Sequence, residues 1–127
     1  MVTQVSAEGE EMTVVKKVSF DAAHYLPGYL GKCANMHGHH WVIELGVWGQ
    51  VGKDGMVIDF SILKEFLDVI KDRLDHHLVN DIVENPTAEN ICLYIRDEYD
   101  MREWPKGVEL DFVKVWETED SYAEVEG

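Results

Sequence analysis

Two stretches of alternating side chains, residues 13–24 and 37–49, flank a short glycine-bearing loop, and both carry histidine in phase with their apolar side. In the first, Val14, Val18, Phe20, Ala22 and His24 share one parity, with Lys16 the exception; in the second, His37, His39, Trp41, Ile43, Leu45 and Val47 do. Period-two alternation marks half-buried strands whose successive side chains point to opposite faces. If the two strands pair antiparallel through the loop at residues 28–32, His24 comes near His37 and His39. One pattern therefore constrains both a fold and a site: a hairpin with three imidazoles at one end.

Two neutral imidazoles at i and i+2 of a strand can hold one borderline cation, and a third completes an open zinc site with one position left for water or substrate. Gly38, between the pair, removes a side chain from the opposite face and lets backbone or ligand approach closely. A tight turn with surface imidazoles explains His37 and His39 alone as well as a metal does, but not their company with His24 and Cys33. Cys33 keeps three readings open. It is a small buried apolar residue, a fourth zinc ligand that closes the site, or a catalytic thiol whose pKa is lowered beside Lys32 and metal ligands; the thiol is favoured over the ligand. Cys92 lies in a helical pattern and reads as core.

A chain of 127 residues makes one domain with a core of its own. The first residues are polar, acidic and patternless, so residues 1–12 are expected as a flexible acidic tail ahead of a single domain at 13–127. The formal net charge of −14 opposes nucleic-acid binding, because Lys and Arg hold phosphate backbones. Acidity serves solubility or reflects a salt-adapted or hot source, and the residues do not separate these. No apolar run approaches the roughly 18–20 residues that span a bilayer, and no signal-peptide pattern opens the sequence. Two cysteines without paired spacing fit free thiols in a reducing cytoplasm. The expectation is a cytoplasmic protein with neither nucleic-acid nor membrane partners.

From Ser61 the period lengthens. Ile62, Leu63, Phe66, Leu67, Ile70 and Leu74 recur at three and four, an amphipathic helix capped by Asp59 or Ser61 that fades around residues 75–78. A second helix begins at residues 86–90 with Thr87 as cap and Ile91, Tyr94, Ile95 and Tyr99 facing inward, and Trp104, Pro105 and Gly107 end it. Residues 108–117 return to strand character, and 122–125 form a last short strand. The sum is an α+β domain, a four-stranded antiparallel sheet with two helices on one face.

Asp75-His76-His77 forms a second cluster. An Asp beside a His orients the ring and stabilises its cation, which makes a proton shuttle. Sequence neighbours do not face each other on a helix, so the pair needs a helix end or turn. Helix-end dipole chemistry explains His76 alone equally well, and His77 better. Glu117 shares the parity of Val113 and Val115, and is either a strand end reaching water or an anchor for a hydrogen-bonding ligand. Glu89 is ambiguous too, since acids are favoured in a first helical turn.

Together these residues resemble the superfamily of 6-pyruvoyltetrahydropterin and 6-carboxytetrahydropterin synthases. The matching segments, in family order, are Phe20-Asp-Ala-Ala-His24, Cys33-x-x-x-His37-Gly-His39, Val57-Ile-Asp59-Phe60, Leu74-Asp75-His76-His77, Asn85-Pro-Thr87-Ala-Glu89-Asn90 and Trp116-Glu117-Thr118. They cover residues 13 to about 122; each is weak alone, and six in order are highly specific. The resemblance implies the tunnelling fold, in which sheets from three subunits close into a barrel and two trimers stack as a homohexamer. It makes His24, His37 and His39 the Zn2+ ligands, Cys33 the proton-abstracting base, and Asp75 with His76 the partner relay. Glu117, counted with the catalytic residues, anchors the guanidine-like edge of the pterin by charge-assisted hydrogen bonds, helped by Thr87, Ala88 and Glu89. Ala88 stands where the family often has Thr or Ser, so that contact falls to backbone or is missing. Trp41 follows His40 where other pairs are common.

Three residues between Cys33 and His37 resemble the carboxytetrahydropterin synthases of queuosine-type biosynthesis, whereas animal-type pyruvoyl synthases usually have five. The implied reaction takes 7,8-dihydroneopterin triphosphate to 6-carboxy-5,6,7,8-tetrahydropterin, a lyase reaction that loses acetaldehyde and triphosphate. Lys16, Lys17, Lys32 and Lys114 are candidates to hold the triphosphate. The rivals are a 6-pyruvoyltetrahydropterin synthase, an aldolase that cleaves the pterin side chain, a non-catalytic pterin-binding zinc protein, and a structural zinc module closed by Cys33.

Overall fold

The structure is a computed structural model and describes residues 1–31 and 34–127; Lys32 and Cys33 lie outside the described residues. Four strands and two helices follow one another as β1 (Glu11–His24), β2 (His37–Gln50), α1 (Phe60–Leu74), α2 (Ala88–Asp100), β3 (Glu109–Thr118) and β4 (Ser121–Glu126), with a short 3-10 turn, Val79–Asp81, between the helices. The strands lie in sequence order in one antiparallel sheet. The alternating segments and the two helical periods thus become the elements they predict. β1 begins earlier than its apolar alternation because Glu11 and Met12 still pair with Gln50 and Gly49. Gly9 and Glu10 extend that ladder through backbone bonds to Val51. The 3-10 turn is too short to leave a period in the sequence.

Both helices start at side-chain caps. Asp59 accepts from the Ser61 amide at 2.8 Å, so of the two cap candidates Asp59 is the one used. Thr87 Oγ1 accepts from the Asn90 amide at 3.1 Å. Each cap satisfies one of the backbone donors that a helix start leaves orphaned. α1 buries Leu63, Phe66, Leu67, Ile70 and Leu74 against β1, and α2 buries Ala88, Ile91, Cys92, Ile95 and Tyr99 against β3 and β4. The sheet meets them with Phe20, Trp41, Ile43, Leu45, Val47, Val113 and Val115. Cys92 is core, as its helical position predicts: its thiol donates to the Ala123 carbonyl at 3.3 Å, and burial pushes its pKa up to about 11. Tyr94, expected inward, is half-buried at the rim, where its hydroxyl accepts from Arg73 at 3.1 Å.

The face away from the helices is amphipathic. Trp116 Nε1 donates to Glu44 there at 2.5 Å, and Lys114 Nζ lies 4.5 Å from the centre of the Tyr122 ring while reaching Glu124 at 3.5 Å. No described helix is long and apolar enough to cross a membrane.

Candidate metal centre

The ladder between β1 and β2 ends at the rung His24↔His37, so two of the three histidines face each other across the hairpin. His39, two residues along β2, returns to the same face because the side-chain period of a strand is two. The ladder between β2 and β3 stops at Val42↔Trp116, and Glu117 follows in the phase of Val113 and Val115, on the helix side of the sheet. His24 Nε2 lies 3.0 Å from His37 Nε2 and 3.1 Å from Glu117 Oε1, and His39 Nε2 is 3.4 Å from the same oxygen. The four ligand atoms all lie within 4.8 Å of one another. Donors 2.0–2.1 Å from a tetrahedral ion stand about 3.3 Å apart, so the cluster has the dimensions of a coordination shell.

Hydrogen bonds behind the rings decide which atoms carry lone pairs. His24 Nδ1 is 2.8 Å from the Pro86 carbonyl, and His37 Nδ1 is 2.7 Å from the Asn35 carbonyl. A carbonyl only accepts, so each Nδ1 carries a proton, and in the neutral ring each Nε2 presents its lone pair to the centre of the cluster. Lone pairs and a carboxylate oxygen at about 3 Å call for a positive centre among them, a proton or a metal ion. Fixing a ligating imidazole through its other nitrogen is how metal sites set tautomer and ring orientation. Three nitrogens and one carboxylate oxygen suit a borderline cation such as zinc, and the residues fit the ion that the sequence resemblance implies.

Trp41 supports this arrangement from beneath. Its indole is fully buried, donates to the Ala22 carbonyl at 3.1 Å, and meets the His24 and His39 rings edge-on at 4.9 and 5.6 Å between centroids. Rings packed on an aromatic floor cannot swing, and His24 itself is 1% exposed. Burial pulls the His39 pKa below its ordinary value, Glu117 opposes that shift, and His37 and His24 add to it.

Asp75 and His76 meet at a different place, on the open edge of β1. α1 ends at Leu74, Asp75 is extended, and His76 takes a left-handed φ of 58°, which is how sequence neighbours come to face each other. Their side chains are 3.1 Å apart, Asp75 Oδ2 to His76 Nδ1, with His76 79% exposed. Asp21 of β1 holds the turn: its amide donates to Asp75 Oδ1 at 2.9 Å, and its carbonyl accepts from the His76 amide at 2.7 Å. The Asp21 amide, above all, keeps the Asp75 carboxyl below its ordinary pKa, with His76 and Lys71 adding to the effect. His77 instead donates from Nδ1 to the Asp75 carbonyl at 2.7 Å. Across the hairpin the Asp21 carboxylate meets His40 Nδ1 at 2.8 Å on the outer face. That pair escapes notice in the sequence because it depends on the register 21↔40, which follows only once His24↔His37 is known.

Two concavities open beside Glu117. One, of about 480 Å³, is lined by Gly38, His39, His40, Val42, Trp116 and Thr118. The other, of about 420 Å³, brings Glu117 together with Ala88, Glu89, Tyr122 and Glu124. Ala88 and Glu89, assigned to substrate binding from the sequence, therefore share a groove with Glu117, while Thr87 is occupied as the cap of α2. Pro86, the residue before that cap, supplies the carbonyl behind His24, so the start of α2 is tied directly to the imidazole cluster. The backbone carbonyls of Pro86 and Asn35 carry no sequence signal for this role.

Comparison with known proteins bears on the same residues. The family model for 6-pyruvoyl tetrahydropterin synthase matches residues 13–127. A protein of Archaeoglobus fulgidus, provisionally named a 6-carboxy-5,6,7,8-tetrahydropterin synthase, is 41% identical over 116 residues, 91% of this chain and 96% of that one. The dihydroneopterin monophosphate aldolase of Pyrococcus furiosus is 35% identical over 89% of this chain and 96% of its own. Among solved structures, the 6-pyruvoyl tetrahydropterin synthase of Caenorhabditis elegans superposes with a TM-score of 0.83 at 27% identity, covering 94% of this chain and 98% of that one. Four strands in sequence order, two helices on one face and a match running through every segment from β1 to β4 place the chain in the 6-pyruvoyl tetrahydropterin synthase family of pterin-processing enzymes, with the tunnelling fold.

Proposed function

We propose that the chain is a zinc-dependent 6-carboxy-5,6,7,8-tetrahydropterin synthase that consumes 7,8-dihydroneopterin triphosphate and water and releases acetaldehyde and triphosphate, serving queuosine-type deazapurine synthesis in the cytoplasm. The observation that carries the reading is the convergence of three imidazoles, two locked with lone pairs inward, beside a groove lined by Ala88, Glu89 and Glu117. The three-residue interval between Cys33 and His37 and the similarity to the Archaeoglobus fulgidus protein support the carboxy product.

His24, His37 and His39 would hold the zinc, which would supply Lewis acidity for activating C–H and O–H groups of the substrate side chain. Cys33 takes the proton from carbon, and His76, oriented by Asp75, carries a second proton to or from the side chain. Glu117 and Glu89, with Thr87 and the backbone at Ala88, bind the donor edge of the pterin. The working form is a trimer-based homo-oligomer, a hexamer on the family pattern, and the amphipathic outer face around Trp116, Tyr122 and Lys114 is in keeping with burial in it.

Mass spectrometry of the products formed from 7,8-dihydroneopterin triphosphate by zinc-loaded protein tests the reading. A 6-carboxytetrahydropterin peak with acetaldehyde is expected; a pyruvoyl product moves the chain to the sister activity. The relationship to the Pyrococcus furiosus aldolase favours one second reading, carbon–carbon cleavage of a dihydroneopterin monophosphate. Turnover of the monophosphate and not the triphosphate selects that reading. Untouched substrates, with zinc occupancy verified, leave a non-catalytic pterin-binding zinc protein.

A further inference from the structure

We infer that Glu117 is a displaceable fourth ligand, whose carboxylate closes the metal centre while no substrate is bound and leaves to admit a substrate oxygen. The inference rests on the metal reading proposed above and adds a second position for the side chain expected to anchor the pterin.

The first ground is geometric. Glu117 Oε1 stands 3.1 Å from His24 Nε2 and 3.4 Å from His39 Nε2, while His24 Nδ1 donates to the Pro86 carbonyl and so turns Nε2 toward the cluster. These separations are those of neighbouring donors around one tetrahedral ion, and one carboxylate oxygen stands close to two of the three imidazoles. The second ground is the backbone. The ladder to β2 ends one residue earlier at Val42↔Trp116, and the ladder to β4 passes from Trp116↔Tyr122 to Thr118↔Ser121, skipping Glu117. Glu117 is thus a bulge residue, and bulges re-aim side chains next to functional sites. Its neighbour Trp116 stays fixed on the opposite face by its bond to Glu44, so the carboxylate moves by rotation of its own side chain. The third ground is room. Glu117 is 29% exposed and borders both concavities, one shared with His39 and the other with Ala88 and Glu89.

The closed state has a stated cost and use. Three neutral imidazoles leave the full charge of a divalent ion uncompensated, and one carboxylate halves it. A closed centre is therefore a weaker Lewis acid and has no open position for water. Opening restores both when the carboxylate finds a better partner in the groove.

Cobalt(II) and zinc binding to the full chain and to Glu117→Gln test the inference, with acetohydroxamate, a bidentate metal ligand that lacks a pterin ring, as the probe of open positions. Glu117→Gln should bind one cobalt per chain with an altered visible spectrum. It should hold zinc weaker by at least the roughly 10–100-fold that loss of an outer partner costs. Acetohydroxamate should bind the cobalt form of the variant about tenfold more tightly than the wild type, a difference of about 1.4 kcal/mol. Identical spectra, zinc affinities and acetohydroxamate affinities, with His24→Ala losing the metal, overturn the fourth-ligand role and leave the three-histidine centre standing. Failure of the wild-type chain to bind either metal overturns both.

Discussion

His24 ends β1 and His76 lies against the same strand through the Asp21 carbonyl, yet the two rings have opposite surroundings. Behind His24 stands a backbone carbonyl and beneath it an indole, and the ring is almost wholly buried. Beside His76 stands a carboxylate, and most of its ring is in solvent. A carbonyl accepts a hydrogen bond from one ring nitrogen and so fixes the other nitrogen toward the cluster, which is what a metal needs. A carboxylate stabilises the charged ring, and solvent lets the proton come and go, which is what a shuttle needs. The partner behind the ring, more than the ring itself, separates the proposed ligand from the proposed relay.

The strongest test of this division is His24→Ala. Metal and activity should vanish together, by more than the ~10–100-fold attached to second-sphere losses. Full activity in a zinc-free sample of this variant, by metal analysis and product assay, would break the comparison outright. Next comes Cys33→Ala, expected to hold zinc normally and to lose about 10²–10⁴-fold in rate as an acid–base group does; a sharp fall in zinc affinity instead makes Cys33 a ligand. Asp75→Asn sharpens the other half of the comparison. It should slow turnover toward the lower part of that ~10²–10⁴-fold range, with metal content unchanged and the pH–rate profile displaced. Thr87→Ala removes the α2 cap next to the Pro86 carbonyl and should cost about 1 kcal/mol in a urea titration, with a small loss of metal affinity if the carbonyl loosens.

The smallest effect is in acid. Hydrogen bonding lowers the folded pKa of Asp75 below its ordinary value. The turn is therefore fully supported above the ordinary carboxylate range near ~4 and loses that support as pH falls through the depressed value. Asp75→Asn should flatten this part of the acid limb of stability, and an unchanged limb would remove the carboxylate from the account.

Most of this architecture is legible in the residues themselves. The parity of Val14 through His24 and of His37 through Val47 sets two strands, their loop, and the face on which three imidazoles meet. The helical period from Ile62 to Leu74 and the cap at Thr87 need no tertiary information, because both are local signals. What stays hidden is whatever register and backbone decide. Tyr94 has the right spacing for the core but lies at the rim, since a hydroxyl beside Arg73 is better satisfied there. Asp21 and His40 pair only because strand register opposes them. The carbonyls of Pro86 and Asn35 act through atoms that every residue has. Glu117 is open between water and anchor on its parity alone; its place among the imidazoles comes from a bulge that no periodicity announces.

The final rung His24↔His37 also has a meaning for descent. Two of the proposed metal donors sit on the last pair of a long ladder and the third just inside it. The strands set the register that brings them together, so exchanges in the connection at residues 25–36 should leave the donor set in place as long as a carbonyl stays behind His37, as that of Asn35 does here. A scaffold built this way would admit new loops around one unchanged set of donors.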